Sequence, residues 1–284
     1  MDIKTIGIIG AGRMGAGIAQ VMAVSGFNVI MMDVKDEFIE RGIDNIKKGL
    51  AKALEKGKIT SEEKEKAITK IRTTTRLEDM AKVDFIIEAV PEIAELKSDI
   101  FKRLDGICLK KTILSTNTSS IPISKIASVT NRQDKVIGMH FMNPAPVMEL
   151  VEVVRGINTS DETFLIVKNL AEKIGKIPVE SKDSPGFIVN RVLMPMINEA
   201  VFALMEGVAS AEDIDRAMTM GVNLPIGPLA LADLIGLDTV LSIMESIYKE
   251  TNNPKHMPCQ LLKKYVDEGQ LGKKTGRGFY KYPK

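Results

Sequence analysis

The segment KTIGIIGAGRMGAGIAQVMAVSGFNVIMMD, residues 4–33, limits the possible folds more than any other part of the chain. Ile6, Ile8 and Ile9 form a short β-branched run closed by Gly10, which predicts a buried strand. Gly10, Gly12 and Gly15 follow as G-x-G-x-x-G. Met14 to Val24 then has helical spacing, and Ser25-Gly26 ends it. A second strand, Asn28 to Met32, leads into Asp33. Gly10 permits a tight turn, Gly12 lets backbone approach a pyrophosphate, and Gly15 lets the helix pack on the strand. The helix N-terminus offers N–H groups and a positive dipole end to phosphate. Asp33 ends the second strand, where a carboxylate accepts hydrogen bonds from a ribose 2′-hydroxyl. A lone G-x-G-x-x-G is weak, but strand, glycines, helix, strand and acid in order within one βαβ unit predict a dinucleotide site. Gly10, Ala11, Gly12, Arg13, Met14 and Gly15 would line it. Asp33 favours NAD, because it would repel a 2′-phosphate. Arg13 and Lys35 lie near enough in sequence to leave NADP possible.

The pattern continues along the chain. Lys35 to Arg72 reads as charged helix, with Lys48, Lys52 and Lys56 on one face. Such a face is either simply solvated or a cation cluster for a phosphate-bearing substrate tail. VDFIIEAVPE predicts a buried strand ending near Glu88 to Glu92. TILSTNTSS predicts another, running into a polar turn at Asn117 to Ser120, and KVIGMH a third, ending at His140. Ile93 to Leu104 has helical spacing, and Ile123 to Val129 allows a shorter turn of helix. Alternating strands and helices predict a doubly wound α/β sheet of Rossmann type. Ligands of such sheets bind outside the carboxyl ends of the strands. The glycine loop, Asp33, Glu92, Asn117–Ser119 and His140 all fall at those ends.

VIGMHFMNPAP holds His140, one of only two histidines in the chain. Asn143, Pro144 and Pro146 follow, and the prolines forbid a helix interior. VMELVEVV then reads as a strand, Val147 to Val154, whose two faces each carry one glutamate, Glu149 or Glu152. Periodicity alone does not say which carboxylate is buried. A buried carboxylate needs a partner, and His140 is the candidate. A His–carboxylate pair at a nicotinamide edge suits movement of the proton that accompanies a hydride. The plainer alternative is a core histidine at a strand end.

Lys182 to Gly186, rich in Ser, Asp, Pro and Gly, marks a domain boundary. The strand pattern stops there. Helices are predicted at Phe187 to Met205 despite Pro195, at Ser210 to Met220, at Pro228 to Tyr248 and at Pro258 to Glu268. The expected organisation is residues 1–183 as dinucleotide-binding domain and 184–284 as a smaller all-helical domain. Two domains suit a chain of 284 residues. Phe187 to Met205 is apolar around much of its circumference, which suggests burial between helices or between subunits. Asn190 within it is either a packing hydrogen bond or a substrate contact.

Composition removes other classes. Thirty-nine basic against 37 acidic residues give a net charge of +2, too little for a nucleic-acid or anionic-membrane field. No apolar stretch approaches the roughly 20 residues needed to span a bilayer, and no signal peptide is recognised. Cys108 and Cys259 lack partners at ligand spacing, so no metal site is expected, and two scattered thiols fit a reducing cytoplasm.

With these pieces in place the chain resembles the L-3-hydroxyacyl-CoA dehydrogenase family, most closely its bacterial 3-hydroxybutyryl-CoA branch. The resemblance rests on IGIIGAGRMGAGIAQ, NTSS, VIGMHFMNPAPVMELVEVVRG, DSPGFIVNRVLMPMINEA, GPLALADLIGLD and LGKKTGRGFYKY, in family order over the whole chain. It implies that His140 is the catalytic histidine and Glu152 its partner, which chooses between the two strand faces. It implies that Ser119 bonds the reacting oxygen beside the nicotinamide and that Asn190 helps hold the substrate. Asp33, Glu92, Lys97, Asn117, Asn143 and Lys274 fall on cofactor-site positions. Lys56 matches a lysine on the CoA tail, with Lys52 one turn earlier. Gly49 stands where some relatives carry a CoA-contacting serine, which puts the tail contacts in doubt. The family is usually dimeric through its helical domain. The implied activity interconverts short (S)-3-hydroxyacyl-CoA and 3-ketoacyl-CoA thioesters with NAD or NADP, in butyrate or fatty-acid metabolism. The alternative is an NAD-dependent dehydrogenase of a free 3-hydroxy acid or sugar acid.

Overall fold

The computed structural model describes residues 2–283. The chain divides into two compact units, Met1–Ser184 and Pro185–Lys284.

In the first unit β1 (Thr5–Ile9), α1 (Arg13–Val24) and β2 (Asn28–Met32) form the opening βαβ. Next come α2 (Asp36–Glu55), α3 (Ser61–Thr69), β3 (Ile71–Thr74), β4 (Phe85–Glu88), α4 (Ala94–Ile107), β5 (Ile113–Thr116) and α5 (Ile123–Ala127). The unit closes with β6 (Val136–Phe141), β7 (Leu150–Arg155), α6 (Asp161–Lys173) and β8 (Ile177–Lys182). The strands make one sheet in the order β3-β2-β1-β4-β5-β6-β7-β8. The six strands from β3 to β6 are parallel, β7 runs antiparallel to β6, and β8 is parallel to β7. This is the doubly wound α/β sheet expected, with its reversal of strand order between β1 and β4, where such sheets bind ligands. β1, β4 and β6 are buried almost end to end, as in strands covered by helices on both faces. Ile6, Ile8, Phe85, Ile87, Met139 and Phe141 sit in that core.

Several boundaries differ from the sequence reading. The charged segment after Lys35 is two helices and a strand. Gly57, at φ +64°, ends the first helix, and a capping box between Thr60 and Glu63 starts the second. Ile71–Thr74 then pairs with β2 as the sheet edge. β7 begins at Leu150 rather than Val147, because the amides of Val147 and Met148 both bond Pro144 O in a turn. α6 and β8 were not anticipated. The edge strand β8 shows no clean alternation of apolar and polar residues.

The second unit is helical: α7 (Val189–Met205), α8 (Ala211–Gly221), α9 (Pro228–Ile235), α10 (Leu237–Thr251) and α11 (Gln260–Asp267). The single helix expected over Pro228 to Tyr248 is broken at Gly236, whose φ of +102° no helix interior accepts. The unit has its own core, including Met194, Ile197, Leu229, Leu237, Val240 and Leu262. Asp233 clamps the C-terminal strap by accepting from the amides of Phe279 and Tyr280 and from the Tyr282 hydroxyl. Each unit buries one free cysteine, Cys108 in the first and Cys259 in the second. Burial pushes the Cys108 thiol up to about 11.

Candidate active site

The glycine loop leaves β1 at its carboxyl end. Gly10 takes φ +104°, and a Cβ there would lie 2.7 Å from Ala89 O. Gly15 packs tighter still: a Cβ would lie 1.9 Å from Gly10 O. Gly12 is different. A Cβ there meets nothing within 4 Å, and Gly12 is the N-cap of α1 with no side-chain cap. Uncapped amides of a 12-residue helix, facing open space at the switch point, fit a pyrophosphate. Arg13 is exposed and Met14 half-buried beside them, and Ala11 is buried. Asp33 ties the loop to β2. Its Oδ2 accepts from the Ala11 amide at 2.7 Å and its Oδ1 from the Val34 amide at 2.7 Å.

The turn after β5 carries Asn117, Thr118, Ser119 and Ser120. Glu92 gathers it: Oε1 accepts from the Thr118 hydroxyl, from the Ser119 and Ser120 amides at 2.9 Å each, and from the Ser120 hydroxyl at 2.9 Å. Lys97 Nζ lies 3.3 Å from Glu92 Oε2. Burial pushes the Glu92 carboxyl up, but the Lys97 ammonium and the bonds from Thr118, Ser120 and Ser119 outweigh it and hold it below the usual carboxylate range. Asn117 Oδ1 accepts from the Phe141 amide at 2.8 Å, joining the turn to the strand that carries His140.

His140 and Glu152 sit directly opposite each other in the antiparallel β6–β7 pair. Opposed residues project to the same face, and His140 Nδ1 lies 2.7 Å from Glu152 Oε2. Both are buried, at 8% and 1% exposure. Glu149 is exposed and lies before the strand begins. A carboxylate can only accept, so the proton of this bond is assigned to Nδ1.

Other predicted residues are distributed more widely. Lys97, 1% exposed, is buried beneath the turn rather than displayed, and Asn143 is exposed on the turn between β6 and β7. Lys48, Lys52 and Lys56 are all exposed, the last as the C-cap of α2. At Gly49 a Cβ would fall 2.2 Å from Gln20 Oε1, so the buried Gln20 amide fills the space a serine would need. In the second unit Asn190 is buried in the first turn of α7, and Lys274 is exposed and paired with Asp238 at 2.5 Å.

The sequence reading gave no role to three supporting residues. Glu88 bonds Lys97. Lys176 donates to Ala145 O and Met148 O at 2.7 Å each, bracing the turn before β7. Asp183 accepts from the amides of Ile123 and Ser124 at 2.8 Å each, fixing the start of α5. Their only sequence signal is a charge in or beside an apolar segment.

Residues 5–184 match the model for the 3-hydroxyacyl-CoA dehydrogenase NAD-binding domain, and residues 186–282 the model for that family's C-terminal domain. The chain belongs to the 3-hydroxyacyl-CoA dehydrogenase family. It is 56% identical over 282 residues to a probable 3-hydroxybutyryl-CoA dehydrogenase of Bacillus subtilis, covering 99% of this chain and 98% of that one. It is 43% identical to human mitochondrial hydroxyacyl-coenzyme A dehydrogenase, over 99% of this chain and 91% of that protein. The crystal structure of (S)-3-hydroxybutyryl-CoA dehydrogenase from Ralstonia eutropha superposes over the full length of both chains, with a TM-score of 0.97 and 50% identity. As a member of that family the chain is an NAD-linked oxidoreductase.

Proposed function

We propose that this protein interconverts (S)-3-hydroxybutyryl-CoA and acetoacetyl-CoA, with NAD preferred over NADP, in the cytoplasm. The observation that carries the reading is the buried His140–Glu152 pair, 2.7 Å apart at the ligand-binding edge of a sheet whose glycine loop fits a dinucleotide. The bound nicotinamide supplies the hydride acceptor in oxidation and the hydride donor in reduction. In oxidation His140 Nε2 takes the C3 hydroxyl proton, and Glu152 stabilises the imidazolium through Nδ1–H. In reduction the imidazolium returns that proton to the C3 oxygen. Ser119 orients the reacting oxygen and Asn190 the substrate, while Asp33 accepts from the adenosine ribose. Gly10 to Gly15, Glu92, Asn117, Asn143 and Lys274 make up the rest of the cofactor site, which the buried Lys97 supports through Glu92. Lys52 and Lys56 meet the phosphates of the CoA tail, a role their shared exposed face supports. Residues 1–183 would carry most of the cofactor site, and 184–284 would contribute to substrate binding. The latter would also form a homodimer or larger homo-oligomer, which the exposed Val192 and Met205 of α7 support.

Purified protein mixed with acetoacetyl-CoA and NADH or NADPH tests the reading by loss of reduced-nicotinamide absorbance. No loss with either cofactor overturns it. Equal efficiency on acetoacetate and acetoacetyl-CoA would favour the free-acid alternative. Lys56→Ala combined with Lys52→Ala should raise KM for the thioester about tenfold and leave kcat alone.

A further inference from the structure

Glu88 is the last residue of β4 and is fully buried, at 0% exposure. Both its oxygens are used. Oε1 accepts from Lys97 Nζ at 2.6 Å and from the Val90 amide at 2.7 Å, and Oε2 accepts from the Thr116 hydroxyl at 2.6 Å. Lys97 also donates to Val90 O at 3.2 Å and faces Glu92 at 3.3 Å. One ammonium thus serves two carboxylates. The fully buried carboxylate is the one that touches nothing outside the protein.

Burying a carboxylate and an ammonium is costly, and an apolar pair of the same size often serves stability as well. Glu92 alone would neutralise Lys97. What the second carboxylate adds is placement. Glu88 fixes the ammonium beneath Glu92, and Glu92 holds the amides of Ser119 and Ser120. Through Thr116, Glu88 fixes the other end of the same turn, because Thr116 Oγ1 accepts from the Thr118 amide at 3.1 Å. The turn is held at both ends by one buried charge.

We propose that Glu88 is a positioning residue for hydride transfer. It acts through Lys97, Glu92 and Thr116 to set the turn that presents Ser119, and it touches neither substrate nor cofactor. The inference rests on the reading that Ser119 orients the reacting oxygen. Displacing a reacting group by about 1 Å can cost on the order of 10² in rate, so the effect is expected in kcat.

The test is Glu88→Gln, which keeps the size and one acceptor oxygen but removes the charge, made in the parent and in Ser119→Ala. Expected is at least about a tenfold loss of kcat in the parent background and less than about twofold in Ser119→Ala, because coupled residues are not additive. KM for NADH should stay within about threefold. Independently of activity, the Ser119 and Ser120 amides should exchange with solvent at least about fivefold faster, with β1 and β2 amides unchanged. Thr116→Val, which removes only the hydroxyl bond, should act in the same direction but less, and it replaces Glu88→Gln if that variant does not fold. An equal loss of kcat in both backgrounds, or parent-like exchange at Ser119 and Ser120, overturns the inference. A parent inactive on acetoacetyl-CoA overturns the proposed function instead, and the exchange rates still decide the role of Glu88.

Discussion

At the residue scale, the proposed chemistry turns on the hydrogen bond between His140 and Glu152, because an acceptor-only carboxylate dictates where the imidazole proton sits. His140→Gln should lower turnover by about 10² to 10⁴ while NADH affinity, read by fluorescence titration, stays near the parent value. Activity within threefold would remove His140 from acid–base work. Glu152→Gln keeps an acceptor for Nδ1–H but loses the charge that steadies the imidazolium, and a loss of about 10 to 10³ in kcat is expected. Glu92 gives a pH dependence. Its carboxyl is held below its ordinary value in the folded protein, so its ionised form favours folding. That contribution is complete above the ordinary carboxylate value of about 4.5 and is lost as pH falls through the lower folded value. Thermal melts from about pH 5 down to pH 3 should fall less steeply in Glu92→Gln than in the parent. Much of this site was legible from the sequence as residue types at strand ends. Periodicity alone could not choose between Glu149 and Glu152, since it places one glutamate on each face; the family resemblance chose Glu152, and the register sets that residue opposite His140. Glu88 and Lys176 were invisible for another reason. A buried charge is recognised by the partners that satisfy it, and those lie at distant sequence positions.

At the element scale, the three glycines of the loop separate stability from binding. Gly15→Ala would drive a Cβ into Gly10 O, a backbone atom that cannot step aside. A destabilisation of about 2–4 kcal/mol is expected, seen as a melting temperature lower by roughly 5–10 °C. Gly12→Ala meets no neighbour. It should shift melting by no more than about 3 °C yet weaken NADH by at least about tenfold, because the methyl group fills the space the phosphates need. Equal cofactor affinity in Gly12→Ala would show that the pyrophosphate lies elsewhere. The βαβ opening was legible because strand, turn and helix follow each other locally. The helix break at Gly57 and the capping box at Thr60 were also written locally, but a run of charge masked them. β3 and β8 were not legible, since edge strands take their identity from the neighbour they pair with.

At the scale of the whole molecule, each unit has its own core and its own means of closing it, the sheet in one and the Asp233 clamp on the C-terminal strap in the other. Met1–Ser184 expressed alone is expected to melt cooperatively and to bind NADH within about tenfold of the full chain, without turnover. Failure to fold would show that the second unit is needed for the first. The doubly wound class and the change from strands to helices could be read ahead, because short β-branched runs give way to helical spacing near 3.6. The two buried thiols have a practical consequence. Each unit holds one native sulfur that reacts with a thiol reagent only when that unit opens, and the raised thiol of Cys108 slows any reaction of the closed form further. Without any engineered label, pulse labelling and mass analysis of the two cysteine peptides would time the opening of each unit separately.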